Sequence, residues 1–317
     1  MKRIITLVLV TLLALSFVGF AEEEKPLDGL SILVSTYFLE DDFCVEMNNT
    51  IVDRCYELGA KEVALQNANS DSEVQTRQIE SYLEKGVDYM FVDPMTLDAL
   101  VPVLEKAADK GVMTVLFDGG ANTRKGIITH VSMNDQLMGN TLGEYLENYI
   151  RDEMGGKATI MYLYWMEIER HSNRIAGVKE ILDAAEGLEL TTFDLDSKGS
   201  RETAANVTAN YAGPYDLIVC SEMNTAWGAV STLEAQNAKD IKVYAIGDWS
   251  KEGFEAIRDG HKYYSTFCTV SPYGIANDSV DALVEYIKNG TTSDVTYVKT
   301  PMVSKENMTE FWDFDKF

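Results

Sequence analysis

Asp118 stands where a side chain could contact a ligand. It ends the apolar run 112–117 and is followed by Gly119 and Gly120. Such a run is typical of a buried parallel strand, and ligands of open α/β sheets lie beyond the carboxyl ends of the strands. A carboxylate at that place accepts hydrogen bonds from hydroxyl or amino groups. The alternative is that Asp118 only caps the turn that follows.

Established catalytic and cofactor-binding patterns are absent from the sequence. No G-x-G-x-x-G follows the first predicted strand, and Walker A, H-E-x-x-H, C-x-x-C and G-x-S-x-G do not occur. The histidines His130, His171 and His261 stand far apart, so we expect each to be structural or solvated. The segment 194–202 is similar to a calcium loop, but Lys198 stands where a ligand is needed. We therefore expect no catalytic residue, no cofactor and no metal.

Strand and helix patterns alternate along the chain, as in right-handed βαβ units. Predicted strands cover 32–35, 63–66, 87–92, 112–117, 127–131, 157–163, 190–193, 217–220, 241–246, 263–269 and the neighbourhood of residue 295. Predicted helices cover 43–58, 73–85, 97–110, 136–151, 174–185, 201–211, 225–235, 252–259 and 273–288. The sequence predicts an α/β fold with two doubly wound parallel-sheet lobes.

The amino terminus resembles a secretory signal. Lys2 and Arg3 precede an apolar run over 4–20, and Ala21 is followed at once by acidic residues. A membrane anchor is the alternative, but the apolar run is short for one. We predict a signal peptide over residues 1–21 that is cleaved after Ala21, and hence a periplasmic or extracellular protein.

The chain is strongly acidic, with a formal net charge of −24. Removal of residues 1–21 leaves 25 basic against 51 acidic residues, or −26. A surface of this charge repels phosphate backbones and anionic lipids. We therefore expect no nucleic-acid partner.

The four cysteines invite a disulfide interpretation in an exported protein. Cys44 and Cys55 lie on one predicted helix, which separates them by about 16 Å. A disulfide needs Cα atoms within about 7 Å, so these two cannot pair. Buried free thiols are expected, and only a Cys220–Cys268 pair is left open.

Several segments together resemble periplasmic sugar-binding proteins of the ribose-binding type. Residues 82–94, Tyr-Leu-Glu-Lys-Gly-Val-Asp-Tyr-Met-Phe-Val-Asp-Pro, resemble the family's helix, Gly-Val-Asp, strand and Pro signature, and the match continues to Asp118. Residues 174–178 are similar to its Arg-x-x-Gly-Phe element, residues 226–229 to a helix start, and residues 301–307 to its carboxyl-terminal tail. The resemblance covers about residues 28–310.

This resemblance implies two lobes joined by three crossovers, with the ligand in the cleft between them. The crossovers are expected near residues 131–133, 269–270 and 290–291. The amino-terminal lobe then comprises 22–132 plus 270–292, and the carboxyl-terminal lobe 133–269 plus 293–317. The family delivers its ligand to the membrane permease of an ABC importer, and some members also report to a chemoreceptor.

The resemblance also implies ligand-binding residues. Asp118 and Asp248 correspond to hydroxyl-binding aspartates, Arg174 to a guanidinium donor, Phe43 to a stacking aromatic, Ser35 to the polar end of the first strand and Thr269 to the family's hinge Gln. For Phe43 the alternative is core packing on the first helix. Trp165 and Trp249 follow strand ends, where stacking on a ligand and core packing are equal alternatives.

Four departures from the family pattern stand out: Gly119, Glu222-Met223, Thr269 and the inverted pair Asn134-Asp135. Gly119 replaces an Arg, and Glu222 stands where an Asn is usual. If Glu222 faces the cleft, it favours a donor-rich or cationic ligand over plain ribose. The alternative is that Glu222 only caps the helix that follows. The ligand is left open among pentoses, hexoses, amino sugars, polyols and nucleosides.

Three competing functions are weaker. A ligand sensor for a chemoreceptor has the same fold. A repressor core of this fold needs a basic helix-turn-helix where this chain has its signal. An exported carbohydrate-active enzyme needs a carboxylate pair such as Asp41 and Asp42, but a general-base histidine or metal set is missing. We expect a solute-binding protein and not an enzyme.

Overall fold

The computed structural model describes residues 25–39 and 42–314, so the predicted signal peptide lies outside the described residues. The strands are β1 (Ser31–Thr36), β2 (Glu62–Asn67), β3 (Tyr89–Asp93), β4 (Met113–Phe117), β5 (Ile127–Ser132), β6 (Lys157–Tyr164), β7 (Glu189–Asp196), β8 (Leu217–Cys220), β9 (Lys242–Ile246), β10 (Tyr264–Cys268) and β11 (Val295–Tyr297). The helices are α1 (Asp42–Glu57), α2 (Ser72–Lys85), α3 (Val101–Asp109), α4 (Asp135–Met154), α5 (Glu169–Ala184), α6 (Arg201–Asn210), α7 (Met223–Ala235), α8 (Lys251–Asp259) and α9 (Pro272–Asn289).

The strands form two parallel sheets, one in each lobe. The first has the order β11-β5-β4-β3-β1-β2 and the second β10-β9-β8-β6-β7. Along β1, Ile32 and Val34 pack in one hydrophobic cluster with α1, whereas Leu33 packs in another with α2 and α3. Helices therefore cover both faces of the first sheet, as the continuous apolar strands indicate. The predicted fold class is confirmed.

Two helix starts differ from the sequence prediction. Helix α3 begins at Val101 and not at residue 97, because Pro102 lacks an N–H group and fits the first turn of a helix. Helix α5 begins at Glu169, five residues before the predicted start. Its amino-terminal turn is polar, and Ile168 at the cap position makes no side-chain capping bond, so the sequence carries no start signal there. This longer helix places His171 and Arg174 one turn apart.

The third connection between the lobes differs from the predicted one. Strand β11 pairs with β5 of the first sheet, so the expected crossover at 290–291 and the assignment of 293–297 to the second lobe were wrong. Val298 N–H still bonds Ser132 O, whereas Thr269 N–H bonds Pro301 O. The chain therefore crosses at about residues 299–300, beside the other two connections. After this point Val303 and Trp312 pack in the core of the second lobe.

All four cysteines are buried free thiols, which closes the possibility of a Cys220–Cys268 disulfide. Burial raises the pKa of the Cys268 thiol to about 12, so this thiol is not a reactive thiolate. Within residues 25–39 and 42–314, no helix combines the length and apolar character that a membrane crossing requires.

Candidate functional site

Asp118 lies at the carboxyl end of β4 in a backbone conformation that is unusual for a residue other than glycine, with φ of +53°. Its N–H bonds Val131 O at 3.0 Å, and its carbonyl accepts a bond from His130 Nε2 at 3.2 Å. These bonds tie the turn to the neighbouring strand β5. The half-buried Asp118 side chain is thus held at the edge of the sheet that faces the other lobe.

Asp93 is a second carboxylate at this edge, and the sequence analysis did not identify it. It ends β3, is fully buried, and accepts bonds from Thr36 Oγ1 and Gly119 N–H, each at 3.1 Å. Burial, and secondly the nearby charge of Asp118, raise the pKa of Asp93 well above its ordinary value. The sequence did carry a signal for Asp93, because this residue directly follows the predicted strand 87–92 and precedes Pro94.

Arg174 is the centre of the polar cluster in the second lobe. Its Nε donates to Asp135 Oδ1 at 2.7 Å, and its Nη1 donates to Ser221 O at 2.9 Å and Ile246 O at 3.3 Å. Arg174 is only 6% exposed, and these bonds fix its side chain at the carboxyl ends of β8 and β9. Among the described residues, no acceptor lies within hydrogen-bond distance of Nη2.

Two glycines bring helix α5 close enough to α4 for this arrangement. A Cβ at Gly139 would lie 2.0 Å from Arg174 O, and a Cβ at Gly177 would lie 2.1 Å from Gln136 O. Any side chain at either position would force the helices apart. Asp135, in the first turn of α4, reaches Arg174 only because the two backbones touch.

His171 lies on the same face of α5 as Arg174. Its Nδ1 is 2.8 Å from Ser221 Oγ, and its ring centroid is 6.3 Å from that of Trp165. Burial, followed by the charges of Arg174 and Arg170, lowers the pKa of His171 to about 4, against an opposing effect of Asp135. His171 is therefore neutral at physiological pH. The sequence analysis expected only a structural or solvated residue here.

Glu222 and Asp248, both expected to face the ligand, are engaged within the second lobe. Glu222 is the N-cap of α7 and accepts the N–H groups of Asn224 and Thr225, each at 2.8 Å. This geometry is that of the capping alternative. Asp248 is fully buried and accepts bonds from the hydroxyls of Ser250, at 2.7 Å, and Tyr264.

Ser35 and Thr269 are also fully buried. Ser35 Oγ accepts a bond from Gln75 Nε2 at 3.3 Å, beneath helix α2. Thr269 Oγ1 donates to Asp248 O at 2.7 Å, which ties the second crossover to the end of β9. The Thr269 hydroxyl thus holds backbone at the second crossover, whereas the Ser35 hydroxyl is bonded to the side chain of Gln75.

The aromatic residues join the two lobes. The ring of Phe43, on α1 of the first lobe, meets the edge of Trp249 in the second lobe with centroids 5.8 Å apart. Trp249 Nε1 donates to Phe311 O at 3.2 Å, which fixes the indole. Trp165 lies over Gly199, where a Cβ would come within 2.6 Å of its ring. The ring contact between Phe43 and Trp249 therefore joins the two lobes.

The second lobe also has a groove of about 390 Å³, at the other end of its sheet from Arg174. It is lined by residues that include Lys242, Gly260, His261 and Tyr264, near the amino ends of β9 and β10. Ligands of parallel α/β sheets lie at the carboxyl ends, where Asp118 and Arg174 are found. The cleft between the lobes is therefore the candidate site.

Two doubly wound lobes, three adjacent crossovers and a polar cleft with aromatic rings from both sides define a two-lobed solute-binding protein. The description of the family whose model matches residues 32–292 is "Periplasmic binding protein domain". The chain belongs to this family.

Similar proteins and solved structures agree with this membership. The chain is 23% identical over 290 residues to a putative rhizopine-binding protein of Rhizobium meliloti. The aligned residues cover 89% of this chain and 92% of that protein. It is 23% identical over 253 residues to a xylitol-binding protein of Mycolicibacterium smegmatis. The aligned residues cover 78% of this chain and 70% of that protein. The crystal structure of a periplasmic ribose ABC transporter from Conexibacter woesei has the same fold, with a TM-score of 0.76 and 17% identity. The superposition covers 90% of this chain and 95% of that chain.

Proposed function

We propose that this protein is exported, binds a small polyhydroxylated solute such as a sugar or polyol in the cleft, and delivers it to the permease of an ABC importer. One observation carries the proposal: the half-buried Asp118 and the buried guanidinium of Arg174 lie at the carboxyl ends of strands in the two sheets, and Phe43 contacts Trp249 between the lobes. Hydroxyl groups both donate and accept, so they match a carboxylate and a guanidinium together. The rings match the apolar face of a sugar.

The proposal assigns two kinds of role to the expected site residues. Asp118, Nη2 of Arg174, Phe43, Trp165 and Trp249 contact the ligand. A second set supports the cleft from within each lobe: Ser35, Glu222, Asp248 and Thr269. No catalytic step is included.

Calorimetry of the purified protein with D-ribose, D-xylose, L-arabinose, D-allose and xylitol tests the binding function. We expect saturable binding of at least one compound, and a loss of roughly 1.5–3 kcal/mol in Arg174→Ala because a hydrogen bond to a charged group is removed. Absence of binding to the whole panel would refute a sugar or polyol ligand.

Lobe closure and export have their own measurements. Closure is a population shift driven by contacts that form only when the lobes meet, so small-angle scattering should report a smaller radius of gyration with ligand. Mass spectrometry of the exported protein should find an amino terminus at Glu22. Identical scattering at saturation, or an amino terminus at Met1, would contradict these two parts.

A further inference from the structure

His171 has a hydrogen-bonding role that its isolated position in the sequence conceals. It lies in the first turn of α5 and covers Ser221, which follows the carboxyl end of β8 and is fully buried. His171 itself is half-buried. Because Nδ1 points inward to Ser221, Nε2 lies on the ring edge away from Ser221 in this half-buried residue.

The Ser221 hydroxyl selects one tautomer of this ring. In the described part of the chain, His171 Nδ1 is the only recorded partner of Ser221 Oγ. If Nδ1 carried the proton, the buried hydroxyl would accept that bond and its own hydrogen would be left without an acceptor, which costs about 1–3 kcal/mol. If Ser221 donates to Nδ1, both groups are satisfied and the proton lies on Nε2.

Burial first, and then the surrounding charges, keep the ring neutral. Arg170 and Arg174 on α5 oppose a further positive charge, Asp135 on α4 favours one, and burial disfavours it. Asp135 is already bonded to Arg174 at 2.7 Å, so its negative charge is largely matched. The second-lobe side of the cleft therefore presents hydrogen-bond donors: Nη2 of Arg174 and Nε2–H of His171.

We propose that His171 contacts the ligand and determines specificity, donating from Nε2 to a ligand oxygen and disfavouring an ammonium group at that place. This inference rests on the proposed function. Of the sequence expectation of a donor-rich or cationic ligand, it keeps the donor-rich ligand and reverses the cationic one. That expectation relied on Glu222, whose carboxylate is bound to the backbone of α7. A hydroxyl, carbonyl or carboxylate oxygen accepts from both donors, whereas an ammonium group cannot accept from either.

The first test needs no ligand. Nitrogen-15 NMR of the imidazole rings distinguishes the two neutral tautomers, and comparison with His171→Gln assigns the His171 signals. We expect the Nε2–H form at pH 7, and a mixture of tautomers in Ser221→Ala. An Nδ1–H form in the wild type would overturn the proposal.

The second test is calorimetry with the five-compound panel on matched variants. His171→Ala should bind the best wild-type ligand about three- to tenfold more weakly, the range for one neutral hydrogen bond. His171→Gln keeps an amide donor near the same place and should recover most of the affinity. His261→Gln, which alters a histidine bonded to Glu234 at 3.2 Å outside the cleft, should bind as the wild type does.

The outcomes separate the two proposals. If the wild type binds a panel compound and His171→Ala binds it equally well, the role of His171 is refuted and the binding function stands. If the wild type binds none of the compounds, the proposed function is refuted and this inference with it. A correct tautomer with weakened His171→Ala and recovered His171→Gln supports both.

Discussion

The buried carboxyl of Asp248 should make the protein less stable as the pH rises, and Asp248→Asn should remove this dependence. Burial raises the pKa of Asp248 from 3.8 to about 6, although bonds from Tyr264 and Ser250 oppose the rise. Below pH 3.8 the carboxyl is protonated in both the folded and the unfolded chain, so its contribution is complete. As the pH rises toward 6 the unfolded chain alone releases the proton, and stability is lost.

The size of this loss follows from the two pKa values. Each pKa unit corresponds to about 1.4 kcal/mol, so the rise from 3.8 to about 6 is a loss of about 3 kcal/mol in all. The isoelectric point of about 4.4 makes measurement near pH 4 impractical because uncharged protein precipitates. Between pH 5 and 7.5 the loss amounts to about 1.4 kcal/mol.

Urea unfolding at several pH values in this interval, for the wild type and Asp248→Asn, measures the effect. The free energy of unfolding of the variant relative to the wild type should increase by about 1.4 kcal/mol from pH 5 to 7.5. Any constant difference due to altered hydrogen bonds cancels in this comparison. Asp259→Asn is the control without a slope, because the bond from Arg258 lowers the pKa of Asp259 from 3.8 and this carboxyl is ionised in both the folded and the unfolded chain throughout the interval. Parallel curves for Asp248→Asn and the wild type would refute the reasoning.

Three further changes test the site. Asp118→Ala should weaken ligand binding by roughly 1.5–3 kcal/mol in calorimetry, through loss of a charge-assisted bond, and wild-type affinity would exclude Asp118 from the site. Glu222→Gln should lower the free energy of unfolding by about 1 kcal/mol, because the cap of α7 is weakened. It should change the affinities for neutral and cationic ligands equally, and unequal changes would restore a charge-matching role. Residue 199 has φ of +64° and lies against the Trp165 ring. Gly199→Ala should therefore lower the free energy of unfolding by more than about 1 kcal/mol and change the fluorescence of Trp165. An unaltered spectrum would contradict the contact.

The α/β fold was predictable because each element carries its own local signal. Continuous apolar strands and amphipathic helices ending at glycine recur along the chain, and these patterns do not depend on distant contacts. The position of β11 was not predictable in this way. It has three residues, too few to show a period, and its sheet is decided by the long-range pairing of Val295 with His130.

Positions of site residues were predictable, but the directions of their side chains were not. Glu222 and Asp248 do follow strands of the second sheet, as expected. The oxygens of Glu222 accept from backbone at the start of α7. The buried carboxyl of Asp248 accepts from the hydroxyls of Ser250 and Tyr264, because a buried carboxylate must be hydrogen-bonded. His171 was missed because Ser221, the residue that orients it, is distant in sequence and adjacent only in the fold.

The return of the chain to the first lobe has a consequence for biosynthesis. Helix α9 and strand β11 complete the first sheet only after the whole second lobe has been translated. Until then β5, rich in Ile, Thr and Val, is a bare edge strand with unpaired backbone groups. A nascent chain therefore exposes a template for strand pairing with its neighbours, and aggregation during synthesis should depend on the time that passes between the synthesis of β5 and that of β11.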